Sequence, residues 1–160
     1  MKPQIIAILA SISIILCACC DTNRDYAGSY SYKSYAILQI QDEETEDIQY
    51  QTYNKLGQLQ IVKDHKLGQK SLLLTYHNTL GETYTAQGKI ERDTLFITPY
   101  KRTENLANLS SLFEIEVESF GILYDDETIV FTEKYIGKTL QETSKKHFIS
   151  TEATTIAHKN

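Results

Sequence analysis

The sequence predicts an all-β domain, an antiparallel meander that closes into a small lipocalin-like barrel or a two-sheet sandwich. From Gly28 onward, apolar residues alternate with polar ones instead of recurring every three or four positions, which is the pattern of half-buried strands. Gly, Asn and Asp separate the alternating segments, as they do in chains built from hairpins. Eight or nine such segments fit into about 140 residues, the size of one barrel or sandwich domain.

Composition excludes other classes. The 160 residues are 41% apolar with only 2 Pro and 7 Gly, so disordered and collagen-like chains are excluded. The 21 acidic residues outnumber the 16 Lys and Arg, which gives a formal net charge of -5. A chain with this charge has no electrostatic basis for binding a phosphate backbone, and we therefore expect no nucleic-acid partner.

The first strand is predicted over residues 29–41, where the even positions are mostly apolar or aromatic and are expected to face inward. Alternation is clearest later in the chain, where apolar side chains alternate with glutamates. A sheet with one face on the core and one in water requires this division. The inward set is Phe113, Ile115 and Val117, and the outward set is Glu114, Glu116 and Glu118.

Further strands are predicted at residues 48–53, 58–63, 71–77, 82–91, 94–100, 121–124 and 128–136. Turns are expected at the Lys-Leu-Gly-Gln tetrads of residues 55–58 and 66–69 and at Gly81, because glycine adopts the positive φ that hairpin loops require. Arg92-Asp93 and residues 125–127 are further predicted turns. Alternation breaks at residues 101–111, which predicts a single helical turn, and residues 151–160 are expected to fray.

A targeting segment precedes the domain. Lys2 is followed by an uncharged apolar run over residues 5–20 that ends at Asp21. A membrane-spanning helix needs about 20 apolar residues, so a run this short predicts a cleaved signal helix over residues 1–18.

The end of this run, Leu16-Cys17-Ala18-Cys19, resembles the lipobox of bacterial lipoproteins. The resemblance implies cleavage between Ala18 and Cys19, attachment of a diacylglyceryl group with palmitate-type acyl chains to the Cys19 sulfur, and acylation of the new amino terminus. Two or three chains would anchor the protein stably. Cys20, rather than Asp, follows the acceptor, and the enteric sorting rule then implies the outer membrane. The domains expected are a signal peptide (1–18), a lipid-anchored tether (19–27), a β-domain (28–150) and the tail.

Tyr26-Ala27-Gly28-Ser29-Tyr30 and the segment of residues 88–95 resemble the small lipocalin-like lipoproteins of bacterial envelopes. Lipocalins place Gly-x-Trp at the first position, whereas this chain has Gly28-Ser29-Tyr30 and no Trp. A ligand cavity lined by Tyr30, Tyr32 and Tyr84 is one hypothesis, because aromatic walls with hydroxyl tips suit an apolar or sugar-like ligand. Plain core packing is the alternative, and the size of the barrel favours it.

No sequence pattern identifies a reaction. Gly-x-Ser-x-Gly and the His-x-x-x-His spacing are both absent, so no catalytic residue, metal site or cofactor is predicted. We therefore expect a non-enzymatic envelope lipoprotein that binds a partner protein or a small ligand. The alternative is an inhibitor or immunity-type lipoprotein that blocks a secreted hydrolase by inserting the acidic segment of residues 41–47 into a cationic cleft.

Overall fold

The computed structural model describes residues 24–106, 111–125, 127–140, 145–149 and 151–160, and all regular structure in them is β-strand. The predicted signal helix, its cleavage site and Cys19 lie outside the described residues. The nine strands are β1 (Gly28–Asp42), β2 (Ile48–Lys63), β3 (Ser71–Asn78), β4 (Thr83–Glu91), β5 (Thr94–Leu106), β6 (Ser111–Tyr124), β7 (Thr128–Thr139), β8 (Lys146–Ile149) and β9 (Thr151–Lys159).

The strands form an antiparallel meander that closes on itself. From β1 to β7, each strand pairs with the next. β8 and β9 share the eighth position, because both pair with β7 on one side and with β1 on the other. The predicted all-β antiparallel fold is confirmed, and the sheet closes as an eight-stranded barrel.

The predicted alternation is confirmed in the first and sixth strands. In β1, the even positions from Tyr30 to Ile40 are all buried. In β6, Phe113, Ile115 and Val117 are fully buried. The glutamates between them face outward, and Glu114 forms ion pairs with lysines of both neighbouring strands.

Inward side chains lie in three layers along the barrel. The upper layer, at the end with the described termini, and the lower layer are apolar, whereas the middle layer between them is polar. The buried upper layer contains Tyr26, Tyr30, Tyr32, Leu59, Ile61, Leu72, Leu74, Tyr76, Ala86, Leu95, Ile97, Leu123, Ile129, Phe131 and Ala157. The lower layer contains Ala36, Leu38, Ile40, Tyr53, Phe113, Ile115, Val117, Tyr135 and Ala153. The middle layer includes Ser34, Lys55, Ser119, Glu133 and Thr155.

The turn predicted at the first Lys-Leu-Gly-Gln tetrad is wrong, because residues 48–63 form one continuous strand. Gly57 lies inside this strand, where a Cβ atom would come 2.1 Å from the His77 carbonyl oxygen. A residue without a Cβ atom is therefore needed at position 57 so that β3 can pack closely against β2. The other turn predictions are confirmed by positive φ angles at Gly68, Gly81, Arg92 and Asp125.

Other boundaries also differ from the predictions. Residues 101–106 continue β5, so the predicted helical turn is wrong over these residues, and residues 107–110 lie outside the described part of the chain. The tail expected to fray is β9, whose ladders with β1 and β7 close the barrel. The end of the expected tether belongs to the barrel too, because Tyr26 is fully buried and donates a hydrogen bond to the Asp93 carbonyl oxygen, at 2.6 Å.

One side of the barrel wall is incomplete in its lower half. β4 pairs with β5 only over residues 88–91, and the ladder ends where the register of β5 shifts between Ile97 and Tyr100. Pro99 lies in this shift and has no N–H to donate. β3 meets β2 only from Gly57 upward. Among the described strands, residues 48–56 of β2 and 98–106 of β5 therefore each pair on one side only, and we call the gap between them the side opening.

Candidate functional site

A charged cluster, defined as Tyr53, Lys55, Arg102 and Glu104, fills the side opening. Lys55 and Arg102 both form ion pairs with Glu104, and the Arg102 Nε atom lies 2.9 Å from Glu104 Oε1. The Tyr53 hydroxyl donates to the same oxygen at 3.0 Å and accepts from Arg102 Nη2 at 3.0 Å. The side chains of Lys55, Arg102 and Glu104 are 9%, 7% and 3% exposed. These contacts bridge β2 and β5, whose backbones do not meet here.

Strand geometry places these side chains. Side chains two apart in a strand share a face, so Lys55 points inward with Tyr53, and both are buried. On β5, Arg102 and Glu104 follow Tyr100 at the same spacing, beyond the register shift. The charged cluster is thus the continuation of the inward faces of two strands.

Aromatic rings surround the two cations. The Arg102 Cζ atom lies 5.0, 5.6 and 5.9 Å from the ring centroids of Tyr135, Tyr84 and Tyr53. The Lys55 Nζ atom lies 5.1 Å from the Tyr84 centroid and 5.5 Å from that of Tyr53. Cations within about 6 Å of an aromatic ring face are attracted by its quadrupole, so the rings stabilise charges that have left water.

The tip of the β3–β4 hairpin supplies a second carboxylate. Glu82 Oε2 lies 3.6 Å from the Lys55 Nζ atom. It also accepts hydrogen bonds from Asn78 Nδ2 at 2.6 Å and from the Tyr84 hydroxyl at 2.7 Å. These contacts hold the hairpin tip against the charged cluster.

Burial sets the protonation of the cluster. Loss of water contact lowers the pKa of Lys55, and the nearby Arg102 charge lowers it further. Burial raises the pKa of Tyr53 far above its ordinary value, and it raises the pKa of Tyr32 to about 12. The tyrosines therefore remain neutral hydroxyl donors at physiological pH.

A second polar group links the strands at which the barrel closes. Glu133 of β7 is 2% exposed. Its Oε2 atom accepts hydrogen bonds from the Tyr135 hydroxyl at 2.9 Å and from Thr155 Oγ1 at 2.7 Å. Thr155 is in turn 2.6 Å from the Ser34 hydroxyl of β1. This chain of hydroxyls connects β7, β9 and β1 through the barrel interior.

The three tyrosines proposed to line a cavity belong to one apolar cluster, in which Tyr30 and Tyr32 are buried and against which the partly buried Tyr84 packs. Tyr30 is fully buried in the upper layer, and its hydroxyl donates to the Tyr26 carbonyl oxygen at 2.9 Å. Tyr32 packs edge-on against Tyr76, with ring centroids 5.8 Å apart. Tyr84 is half-buried at the side opening against Lys55. The structure therefore does not join their hydroxyls in one network.

Sequence reasoning missed Lys55, Arg102, Glu104 and Glu133. A charged residue at an inward position of an alternating strand was the available signal. Lys55 is two residues after the inward Tyr53 and therefore also points inward. Glu133 lies at the inward position between Phe131 and Tyr135. Buried charges of this kind are rare unless they are paired.

The acidic segment at the bottom of β1 is largely bound within the chain. The Asp42 Oδ1 atom accepts the Glu44 and Thr45 amides at 2.9 and 3.4 Å. Glu44 pairs with Lys145 at 2.7 Å, and Glu43 Oε1 lies 3.5 Å from His147 Nδ1. These contacts tie the β1–β2 loop to the start of β8.

The outer surface of β9, β1 and β2 carries exposed apolar side chains. We define the outer face by Tyr35, Ile37, Leu56 and Ile156, which are 51%, 47%, 52% and 40% exposed. Two grooves, of about 620 and 610 Å³, meet at Tyr35. An exposed apolar patch of this kind is typical of an interaction site.

Neither a metal centre nor a spanning helix is found in the described part of the chain. No group of three or more His, Cys, Asp or Glu side chains within it lies close enough to hold a metal ion. No helix among these residues is long and apolar enough to cross a membrane.

Comparisons with known proteins give no family. No family model matches the chain, and no curated protein matches it. Among solved structures, it is similar to a redesigned β-barrel, with 12% sequence identity, a TM-score of 0.45, and coverage of 89% of this chain and 97% of that one.

Proposed function

We propose that this chain is a non-enzymatic lipoprotein of a bacterial cell envelope, anchored in the outer membrane through Cys19, whose barrel binds a partner protein on the outer face. The anchor part rests on the lipobox resemblance of residues 16–19. The binding part rests on the outer face itself, where aromatic and aliphatic side chains stay in water although the fold has a complete core elsewhere.

The contrast between interior and exterior carries this proposal. Inside, the largest side chains are buried to within a few percent of their surface, and Glu104 and Glu133 are bonded to neighbouring side chains, whereas the buried hydroxyls of Tyr76 and Ser119 have no hydrogen-bond partner among the described residues. A ligand in the barrel would have to displace packed tyrosines and paired charges. Outside, Tyr35 lies at the junction of two open grooves. A partner that covers the outer face removes apolar surface from water at about 25 cal/mol per Å².

The anchor is tested by metabolic labelling with a palmitate analogue. Wild-type protein is expected to take up the label and partition with membranes, whereas Cys19→Ala should lose both properties, because the diacylglyceryl group that carries the acyl chains attaches to this sulfur. Cys20→Ala is the matched control and should keep the label. Equal labelling of the Cys19→Ala and wild-type chains would refute the anchor.

Partner binding is tested by a photo-crosslinking amino acid placed in the full chain in native membranes. At Tyr35 it should give one discrete adduct with another protein, because this position lies at the centre of the outer face. At Glu116, an outward and half-buried position on β6, it should give none. Absence of an adduct at Tyr35, or the same adducts at both positions, contradicts the proposal.

A further inference from the structure

The lower half of β2 presents an unpaired edge at the side opening. The β1–β2 register runs without a shift from Gly28 opposite Ile61 to Gln41 opposite Ile48, so N–H and C=O groups alternate in direction along β2. The Leu56 carbonyl accepts the Thr79 amide at 3.1 Å, which places the even positions of β2 on the side away from β1. We define the β2 edge as Ile48, Tyr50, Thr52 and Asn54, whose backbone groups point to the side opening and pair with no described strand.

The β2 edge lacks the features that normally prevent strand pairing. Residues 48–54 contain no charged residue and no proline. The facing edge of β5 contains Pro99, Lys101, Arg102 and Glu104, and proline and charges protect edges against pairing with other chains. One side of the opening is thus protected and the other is not. Ile48 and Tyr50 are moreover 43% and 68% exposed.

A buried polar atom lies at the middle of this edge. The Gln51 Oε1 atom is buried and has no hydrogen-bond partner. Gln51 is also the central residue of 48–54. A two-fold axis through it would place Tyr50 of one copy opposite Thr52 of the other, and Ile48 opposite Asn54. All four residues of the β2 edge would then be paired, with none left over.

We infer that the β2 edge binds the β2 edge of a second copy of this chain in an antiparallel ladder centred on Gln51. In this register, the two Gln51 residues lie directly opposite each other with Cβ atoms about 5 Å apart, and their side chains are on the inward face that Tyr53 and Lys55 also share. Tyr50 opposite Thr52 is an aromatic and β-branched pair, of the kind that stabilises sheets.

A second copy fits this edge better than a charged segment does. The chain carries a net charge of -5, which opposes self-association, but the seam itself brings no like charges together. The two-fold arrangement is isologous, so the assembly stops at a dimer. This inference does not depend on the partner proposed for the outer face.

Disulfide trapping tests the axis in the full chain in native membranes, in a Cys20→Ser background. Gln51→Cys should convert most of the chain into a disulfide-linked dimer on mild oxidation, because the two thiols would face each other across the axis. Asn54→Cys is the matched control and should stay monomeric, since its counterpart is Ile48. Equal dimer yields from the two variants, or linkage of Gln51→Cys to a different protein, would overturn the inference.

A charge-pair experiment tests the register with residues exposed enough to leave the fold intact. Chains carrying Tyr50→Glu and chains carrying Thr52→Lys should each show weaker self-capture when two tagged copies are co-expressed, because each variant places a charge in the seam without a counter-charge opposite it. Mixing the two variants should restore capture, because position 50 faces position 52 across the axis. Equal capture in all three combinations would contradict this register.

Discussion

Replacement of Glu104 with Gln should lower the free energy of unfolding by about 3–5 kcal/mol, the cost of leaving buried charges without their partner. This carboxylate is the shared acceptor of Lys55, Arg102 and Tyr53. Its loss removes the carboxylate that the two buried cations share, and Glu82, 3.6 Å from Lys55, compensates only one of them. Denaturant unfolding, followed by tyrosine fluorescence since the chain has 11 Tyr and no Trp, measures the change.

Glu114→Gln is the matched control, because Glu114 pairs with Lys101 and Lys138 on the surface and such pairs contribute little to stability.

A further variant separates the effect of charge from the effect of packing. Replacing Lys55 and Arg102 with Met together with Glu104→Leu should recover much of the lost stability, since apolar residues can substitute for a buried ion pair. If Glu104→Gln unfolds no more easily than Glu114→Gln, the charged cluster does not hold the side opening together.

Gly57→Ala should destabilise the barrel by about 3 kcal/mol, because a well-packed interior accommodates added atoms poorly. The new Cβ would lie 2.1 Å from the His77 carbonyl oxygen and 2.7 Å from the Tyr32 hydroxyl. The backbone oxygen cannot rotate away as a side chain can, so β3 has to move. The shift of the unfolding midpoint in denaturant measures this cost.

Gly68 is the natural control, because it occupies the same position in the second Lys-Leu-Gly-Gln tetrad. It lies in a turn with φ of +119°, and a Cβ atom there would meet only the Ser71 hydroxyl, at an ordinary contact distance of 4.0 Å. Gly68→Ala therefore meets backbone strain alone and should cost about 1 kcal/mol. Equal costs at both glycines would argue that Gly57 lies in a turn, as the sequence alone predicted.

The strands with one buried face were predictable, because alternation is a local signal. In β6, glutamates between Phe113, Ile115 and Val117 leave only one orientation of the strand. The two tetrads were not distinguishable in this way. Whether a glycine turns the chain or makes room for a neighbour depends on residues such as His77, which approach only in the folded state.

The closing strand was missed for a related reason. The inward positions of β9 are small or polar, namely Thr151, Ala153, Thr155 and Ala157, and they carry little of the apolar signal that identifies a strand. Small residues suit this wall because tyrosines from other strands occupy the interior. The match between small side chains on β9 and large tyrosines on other strands is visible only in the folded barrel.

The charged cluster depends on contacts distant in sequence. Lys55 and Glu104 are 49 residues apart in sequence. They come into contact because no described strand lies between β2 and β5 at the side opening. The alternation of side chains in each strand could have shown that these charged residues point inward. It could not have shown which of them form pairs. The outer face was likewise visible only as isolated apolar residues at outward positions.

The central claim is that the barrel is filled by its own side chains and acts through its outside. Native mass spectrometry of the full-length protein, released gently from its membrane, tests this claim most directly. We expect the mass of the acylated polypeptide, alone or as a pair of copies, with no small molecule retained in the barrel. A stoichiometric sugar or apolar molecule that stays bound until the barrel unfolds would contradict the claim.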